Sequence, residues 1–287
     1  MLGLGTSLLT TGISEKTFLL DEVSGAVGAY SLRKLVSGYT GPAIRVRNQS
    51  TDVERDIYFE SFGNLDIADL ESFANGSLLH CSKWYDQSGN GNHAVQASEG
   101  NQPRATDGSG NALLENGRPR LHWVNQSGSS QTRMFANTNN SLLNLSRLDA
   151  YIAYNPAGDN NYILFTGNTS NSGGPFSYVA TASETTNTSL HSGYGNGNLY
   201  LDGSQITLSG STTRSDLSTA LAGSNIQIEI HEGHSTNSGG WDTFGIGAYN
   251  GRGLVNGYFS EILFFGEDKS SNRTNLQDNM NNYYSAY

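Results

Sequence analysis

Glu229-Ile230-His231-Glu232-Gly233-His234 brings two carboxylates and two imidazoles into six residues. On an extended strand Glu229 and His231 share one face, and imidazole nitrogen with carboxylate oxygen is a donor set that metal ions accept. Glu229, His231 and His234 are therefore the candidate metal ligands. An H-x-x-H pair off a helix is a weak form of such a site, and a solvated strand face running into a glycine loop accounts for the same residues. No resident cofactor is expected. Asp159, Asp202, Asp242 and Asp268 lie among Gly, Asn and Ser, where carboxylate oxygens suit Ca²⁺ but more often hold their own turns. Trp241 follows Ser238-Gly239-Gly240, Tyr194 stands between glycines, and Tyr249 lies near Gly247 and Gly251. Exposed rings of this kind stack on sugar faces, so these three are the candidate glycan contacts. Neither a P-loop nor a G-x-S-x-G elbow occurs, and Gly193-Tyr194-Gly195-Asn196-Gly197 lacks the strand-to-helix context of a phosphate loop.

Many short strands must position these groups. The 287 residues include 35 Gly and only 5 Pro, with aromatics at 10%, a mix that reads as strands joined by tight polar turns. The formal net charge of −10 repels phosphate backbones, so nucleic acid is not an expected partner. The apolar residues of Met1–Leu20 are interrupted by Gly3, Gly5, Thr6, Thr10 and Thr11. That stretch is too broken to span a membrane and lacks the basic start of a secretory leader. One cysteine, Cys81, excludes an intramolecular disulfide and reads as a small buried hydrophobe. Ala43–Arg47 alternates, with Ile44 and Val46 on one face and Arg45 and Arg47 on the other, a half-buried strand. Leu65–Ala74 has helical spacing and Asp66 as its cap. Leu199–Ile206 carries a D-G turn between apolar runs, a hairpin signal. Ser270–Tyr287 reads as a C-terminal helix capped by Ser270 or Ser271, packing through Tyr283 and Tyr284. Trp84 and Trp123, inside strands, are expected in the core.

Trp84-Tyr85-Asp86-Gln87-Ser88-Gly89-Asn90-Gly91-Asn92-His93-Ala94 is the most specific string in the chain. Gly89 and Gly91 permit positive φ, and Asp86 can bond its own turn, so Trp84, Asp86, Gly89, Gly91 and His93 form a structural turn motif. The string resembles that of the catalytic-domain family of the B-type α-L-arabinofuranosidases and of the wider laminin-G-like modules. The likeness extends to Ala29–Leu35 and Gly41–Arg47, and to Phe244–Gly247 and Gly257–Ile262. It implies an all-β, concanavalin A-like sandwich of the jelly-roll type, with one short helix and one C-terminal helix. The expected division is a docking arm over 1–25 and a sandwich over 26–287.

Retaining glycosidases need two carboxyl groups about 5 Å apart. The family's acid follows G-I-G-G-D; the matching run Gly245-Ile246-Gly247-Ala248-Tyr249 puts Tyr249 there. Its nucleophile lies in V-D-M-E before L-F-S-G; Leu201-Asp202-Gly203-Ser204 before Thr207-Leu208-Ser209-Gly210 puts Ser204 there. The family's adjacent cysteines are also missing. Similar modules, with the tail Ser260-Glu261-Ile262 through Tyr283-Tyr284, occur in bacteriophage virion proteins. The expectation from these features is a non-catalytic virion component of capsid or tail, not an enzyme. It would sit in the virion, docked on other virion proteins by its arm, self-associating, and binding host surface polysaccharide. The alternatives are an arabinofuranosidase-like glycoside hydrolase or a lectin-like adhesin.

Overall fold

A computed structural model describes residues 17–124, 132–136, 147–157, 161–166, 178–181, 198–206, 216, 219, 221, 226–233, 244–249, 252–253 and 256–286. Among them the strands form two antiparallel sheets. The first runs in the order β1 (Ala26–Ser31), β19 (Gly257–Phe265), β10 (Arg147–Pro156), β15 (Ile226–Gly233), β13 (Asn198–Leu201) and β14 (Ser204–Ile206). Strand β8 (Leu121–Trp123) also pairs with β19. The second runs in the order β12 (Tyr178–Thr181), β11 (Asn161–Thr166), β16 (Phe244–Ile246), β9 (Met134–Ala136), β5 (Ala94–Val95), β4 (Leu79–Trp84), β2 (Ile44–Asn48) and β3 (Glu54–Ile57). Two small ribbons, β6 (Leu114–Glu115) with β7 (Arg118–Pro119) and β17 (Ala248–Tyr249) with β18 (Arg252–Gly253), stand apart. The architecture is the expected all-β sandwich.

Alternation along the strands sends one set of side chains between the sheets. Ile44, Val46, Leu79, Cys81 and Trp84 enter from the second sheet, and Ala150, Ile152, Ile228, Ile262 and Phe264 from the first. Trp84 and Trp123 lie in this core, ring centroids 6.0 Å apart. Each such large apolar side chain contributes about 1.5–3 kcal/mol by leaving water. Cys81 is fully buried, and burial pushes its thiol pKa up.

Helix α2 (Ile67–Ala74) forms as its spacing predicts. The Asp66 side chain accepts the Asp69 N–H at 2.9 Å, and Asn75 ends the helix in the left-handed region. Asp66→Ala is expected to cost about 1 kcal/mol, the usual value of an N-cap. A drop in the urea midpoint at unchanged slope would show it; an unchanged midpoint would remove Asp66 from that role.

The outer face of the first sheet is covered. Helix α3 (Arg273–Tyr284) lays Leu276, Met280 and Tyr284 on Tyr151, Leu263 and Phe265. Leu19, Leu20 and Val23, from α1 (Leu19–Glu22) and the residue after it, join the same cluster. The described part of the expected arm thus packs into the sandwich; residues 1–16 lie outside the described residues. The expected serine cap of the last helix is corrected. Ser270–Asn272 form a 3₁₀ turn, Asn272 stands at the N-cap, and no side chain caps it. Asp268 takes the Ser270 N–H instead, at 2.9 Å.

Beneath that cover, among the described residues, the sheet carries three fully buried carboxylates, each held by an arginine. Asp149 pairs with Arg147 at 2.8 Å, Glu261 with Arg33 at 2.7 Å, and Glu229 with Arg273 at 3.4 Å. A buried charge without such a partner would be strongly unfavourable. The arginines are thus part of how the sheet and its cover fit together.

Candidate active site

The turn between β4 and β5 is built around one side chain. Asp86, only 2% exposed, accepts four hydrogen bonds. Its Oδ1 takes Ala29 N–H at 2.8 Å and Ser88 N–H at 2.9 Å; its Oδ2 takes Ser88 Oγ–H at 2.8 Å and Asn92 N–H at 2.9 Å. Gly89 and Gly91 supply the positive φ that lets the loop fold back on it, at +87° and +73°. His93 Nδ1 accepts the Asp86 N–H at 3.1 Å, and the Tyr30 hydroxyl donates to the Asn92 carbonyl. Asn92 and Asn90 donate to the carbonyls of Val27 and Ala26, while the Gln87 amide bonds Leu35 N–H and the carbonyls of Ser31 and Arg33. The motif therefore ties β1 to the opposite sheet. The Asp86 carboxylate is spent on these four bonds, so its work is structural.

Two other segments bear on chemistry. In the β13–β14 hairpin, Asp202 and Gly203 both take positive φ, +49° and +74°, as a two-residue turn of this kind demands. The Asp202 N–H donates to the Gln227 carbonyl, and the Asp202 carboxylate accepts the Gln227 N–H at 2.9 Å. Asp202 is half-buried, and that burial raises its pKa against the lowering effect of the Gln227 bond. A carboxyl whose pKa is raised is suited to donating a proton. Ser204, two residues on, is exposed. On the other sheet, Ile246 leads into Gly247, whose φ is +64° and where a Cβ would come within 2.5 Å of Trp123. Only glycine fits there, and the Trp123 indole N–H donates to the Ile246 carbonyl at 3.3 Å. Tyr249 follows on β17, its backbone paired with Arg252.

Of the three metal candidates, the surroundings of Glu229 are described. Glu229 is fully buried rather than on a solvated face. One oxygen accepts from Arg273 and the other from the Gln227 amide at 3.5 Å. The reason is the C-terminal helix, whose first residue reaches over the sheet; a strand pattern alone does not reveal what lies above it. His231 lies on β15 opposite Asp149 and Asn198. His234, Trp241 and Tyr194 lie outside the described residues, as do Asp159 and Asp242.

The family model described as "Alpha-L-arabinofuranosidase B, catalytic" matches residues 22–238. No curated protein matches the chain. Among solved structures, a GH54 α-L-arabinofuranosidase soaked with a cyclic sulfate inhibitor superposes with a TM-score of 0.62 at 14% identity, over 94% of this chain and 65% of that one. A glutamate-to-glutamine variant of a GH54 α-L-arabinofuranosidase, soaked with 4-nitrophenyl α-L-arabinofuranoside, gives the same values. An arabinofuranosidase complexed with arabinofuranosyl-α-1,2-xylobiose gives a TM-score of 0.59 at 15% identity, over 94% and 64%. The chain thus spans slightly less than two thirds of those proteins' length.

These findings correct the expectation of a non-catalytic virion component and of a chain that is not an enzyme. They point to a glycoside-hydrolase catalytic domain and give a phage setting no support. That expectation rested on the runs ending in Tyr249 and Ser204, on the missing adjacent cysteines and on the likeness to virion modules. A match over most of the chain outweighs them, because catalytic groups are recognised by geometry and role rather than by sequence position.

Proposed function

Because this chain belongs to the family of the α-L-arabinofuranosidase B catalytic domain, we propose that it is an α-L-arabinofuranosidase-like glycoside hydrolase. The observation that carries the reading is the family match over residues 22–238, supported by the sandwich that superposes on arabinofuranosidases. Asp202 is the carboxyl we assign to proton transfer. It stands in the hairpin that resembles the family's nucleophile segment, and its burial favours the protonated form. As general acid it would protonate the leaving oxygen of the glycosidic bond. Activity would then fall as pH rises through the lifted pKa, because only the protonated carboxyl donates. Ser204 and Tyr249 occupy the two family positions, so the carboxyl chemistry here comes from a neighbouring position rather than from those two.

The test is release of 4-nitrophenol from 4-nitrophenyl α-L-arabinofuranoside by the full chain. Turnover is expected, with a loss of about a hundredfold or more in Asp202→Asn, the usual scale for removing an acid–base group. A folded wild-type protein that releases nothing between acid and neutral pH would sink the hydrolase reading. Turnover unchanged in Asp202→Asn would sink only the assignment of that residue.

A further inference from the structure

A polar cavity of about 260 Å³ opens on the outer face of the second sheet, the sheet that does not carry Asp202. Its walls include Gln49, His80, Glu99, Arg104 and Thr132. It lies where residues 103–105 run beside β4, and where His80 and Arg47 stand opposite each other in register. His80 is 9% exposed, and its Nδ1 is buried without a hydrogen-bond partner. Burial first, then Arg47 and Arg104, hold its pKa down to about 4, so the ring is neutral and offers one N–H and one lone pair. Arg47 is equally enclosed, at 6% exposed. It bonds Asp52, Glu99 and Gln102 but leaves Nη2 buried and unpartnered. Among the described residues no carboxylate pairs with Arg104. Buried nitrogens left unmatched are rare, and each calls for an explanation.

We propose that this cavity is a binding subsite for an acidic sugar. The planar guanidinium of Arg104 matches a carboxylate. The His80 imidazole, the Gln49 amide and the Thr132 hydroxyl match sugar hydroxyls, which both donate and accept. Glu99 on the wall accepts from a hydroxyl but repels a multiply charged anion. With the chain's net charge of −10, that favours a singly charged uronate over phosphate. The subsite is separate from the proposed hydrolytic centre and stands or falls independently of it.

Titration calorimetry of the full chain with sodium glucuronate, glucose and inorganic phosphate tests this. Glucuronate is expected to bind, glucose to bind roughly tenfold more weakly or less, and Arg104→Met to lower glucuronate affinity about tenfold or more. Thr132→Val provides a second, milder variant with the same direction. Melting curves confirm that both variants fold. No glucuronate binding, equal binding of glucose, phosphate binding more tightly than glucuronate, or affinity unchanged in both variants would each overturn the proposal. Loss of arabinofuranoside hydrolysis would not bear on it.

Discussion

Asp86→Ala lowers the free energy of unfolding by about 4 kcal/mol, a loss set by the donors it strands. The Ala29 and Asn92 N–H groups are buried and have the carboxylate as partner. Each buried donor left without an acceptor costs about 1–3 kcal/mol. The turn also loses the bonds to Ser88 that hold its positive-φ glycines in place. Asp86→Asn keeps the shape and one accepting oxygen, so a smaller loss of about 2 kcal/mol is expected from the one donor turned against an NH₂. Urea unfolding of the two variants side by side gives the ranking. Equal losses, or an alanine variant within about 1 kcal/mol of wild type, would show that β1 is held by its strand pairing rather than by this side chain.

The second large effect is expected at Arg33. Its Nε donates to Glu261 Oε2 at 2.7 Å and its Nη2 to Oε1 at 2.9 Å. The same carboxylate accepts from Ser31 Oγ at 2.7 Å and from the Tyr284 hydroxyl at 3.1 Å, while the guanidinium lies 4.6 Å from the Tyr283 ring centroid. Burial alone would lower the Arg33 pKa, but Glu261 outweighs it and the net shift is upward. Arg33→Met leaves Glu261 charged and uncompensated, which costs about 3–5 kcal/mol. The double variant Arg33→Met with Glu261→Leu recovers most of the loss, since apolar residues of similar size often replace a buried pair at little cost. Ser31 and Tyr284 still have each other at 3.3 Å. A double variant as unstable as the single one would mean that the pair itself, not the stranded charge, carries the stability.

The fold was largely legible because it is written in local chemistry. The D-G hairpin at Asp202, the Asp66 cap and the Ile44/Val46 alternation each act within a few residues, and each appears where its spacing places it. The reach of Asp86 was not legible. The sequence shows a carboxylate able to hold its own turn, and half of its bonds do so. Another goes to Ala29, 57 residues away, across a distance that no spacing encodes. The cover over Glu229 was not legible for a similar reason. Alternation puts Glu229 and His231 on one face, but a helix that begins at Arg273 covers Glu229. The sequence carries no sign of the His80 cavity, because His80 stands between Leu79 and Cys81, both core residues. Arg47, His80 and Ser82 alternate with core residues, a pattern that reads as a half-solvated face, yet all three are buried, so both faces of these strands are covered.

The knot at Glu261 also sets the order in which the molecule can form. Ser31 and Glu261 are 230 residues apart in the chain, and β1 has β19 as its sheet neighbour. A ribosome therefore delivers the first strand long before its partner exists. Until β19 emerges, β1 presents an unpaired edge, the kind of surface that invites pairing with another chain. Contacts of such long sequence separation slow folding and prolong that exposure. The bonds from Asp86, Asn90 and Asn92 to residues 26–29 become available after fewer than a hundred residues. The turn motif thus fastens the first strand through contacts far closer in sequence than its pairing with β19.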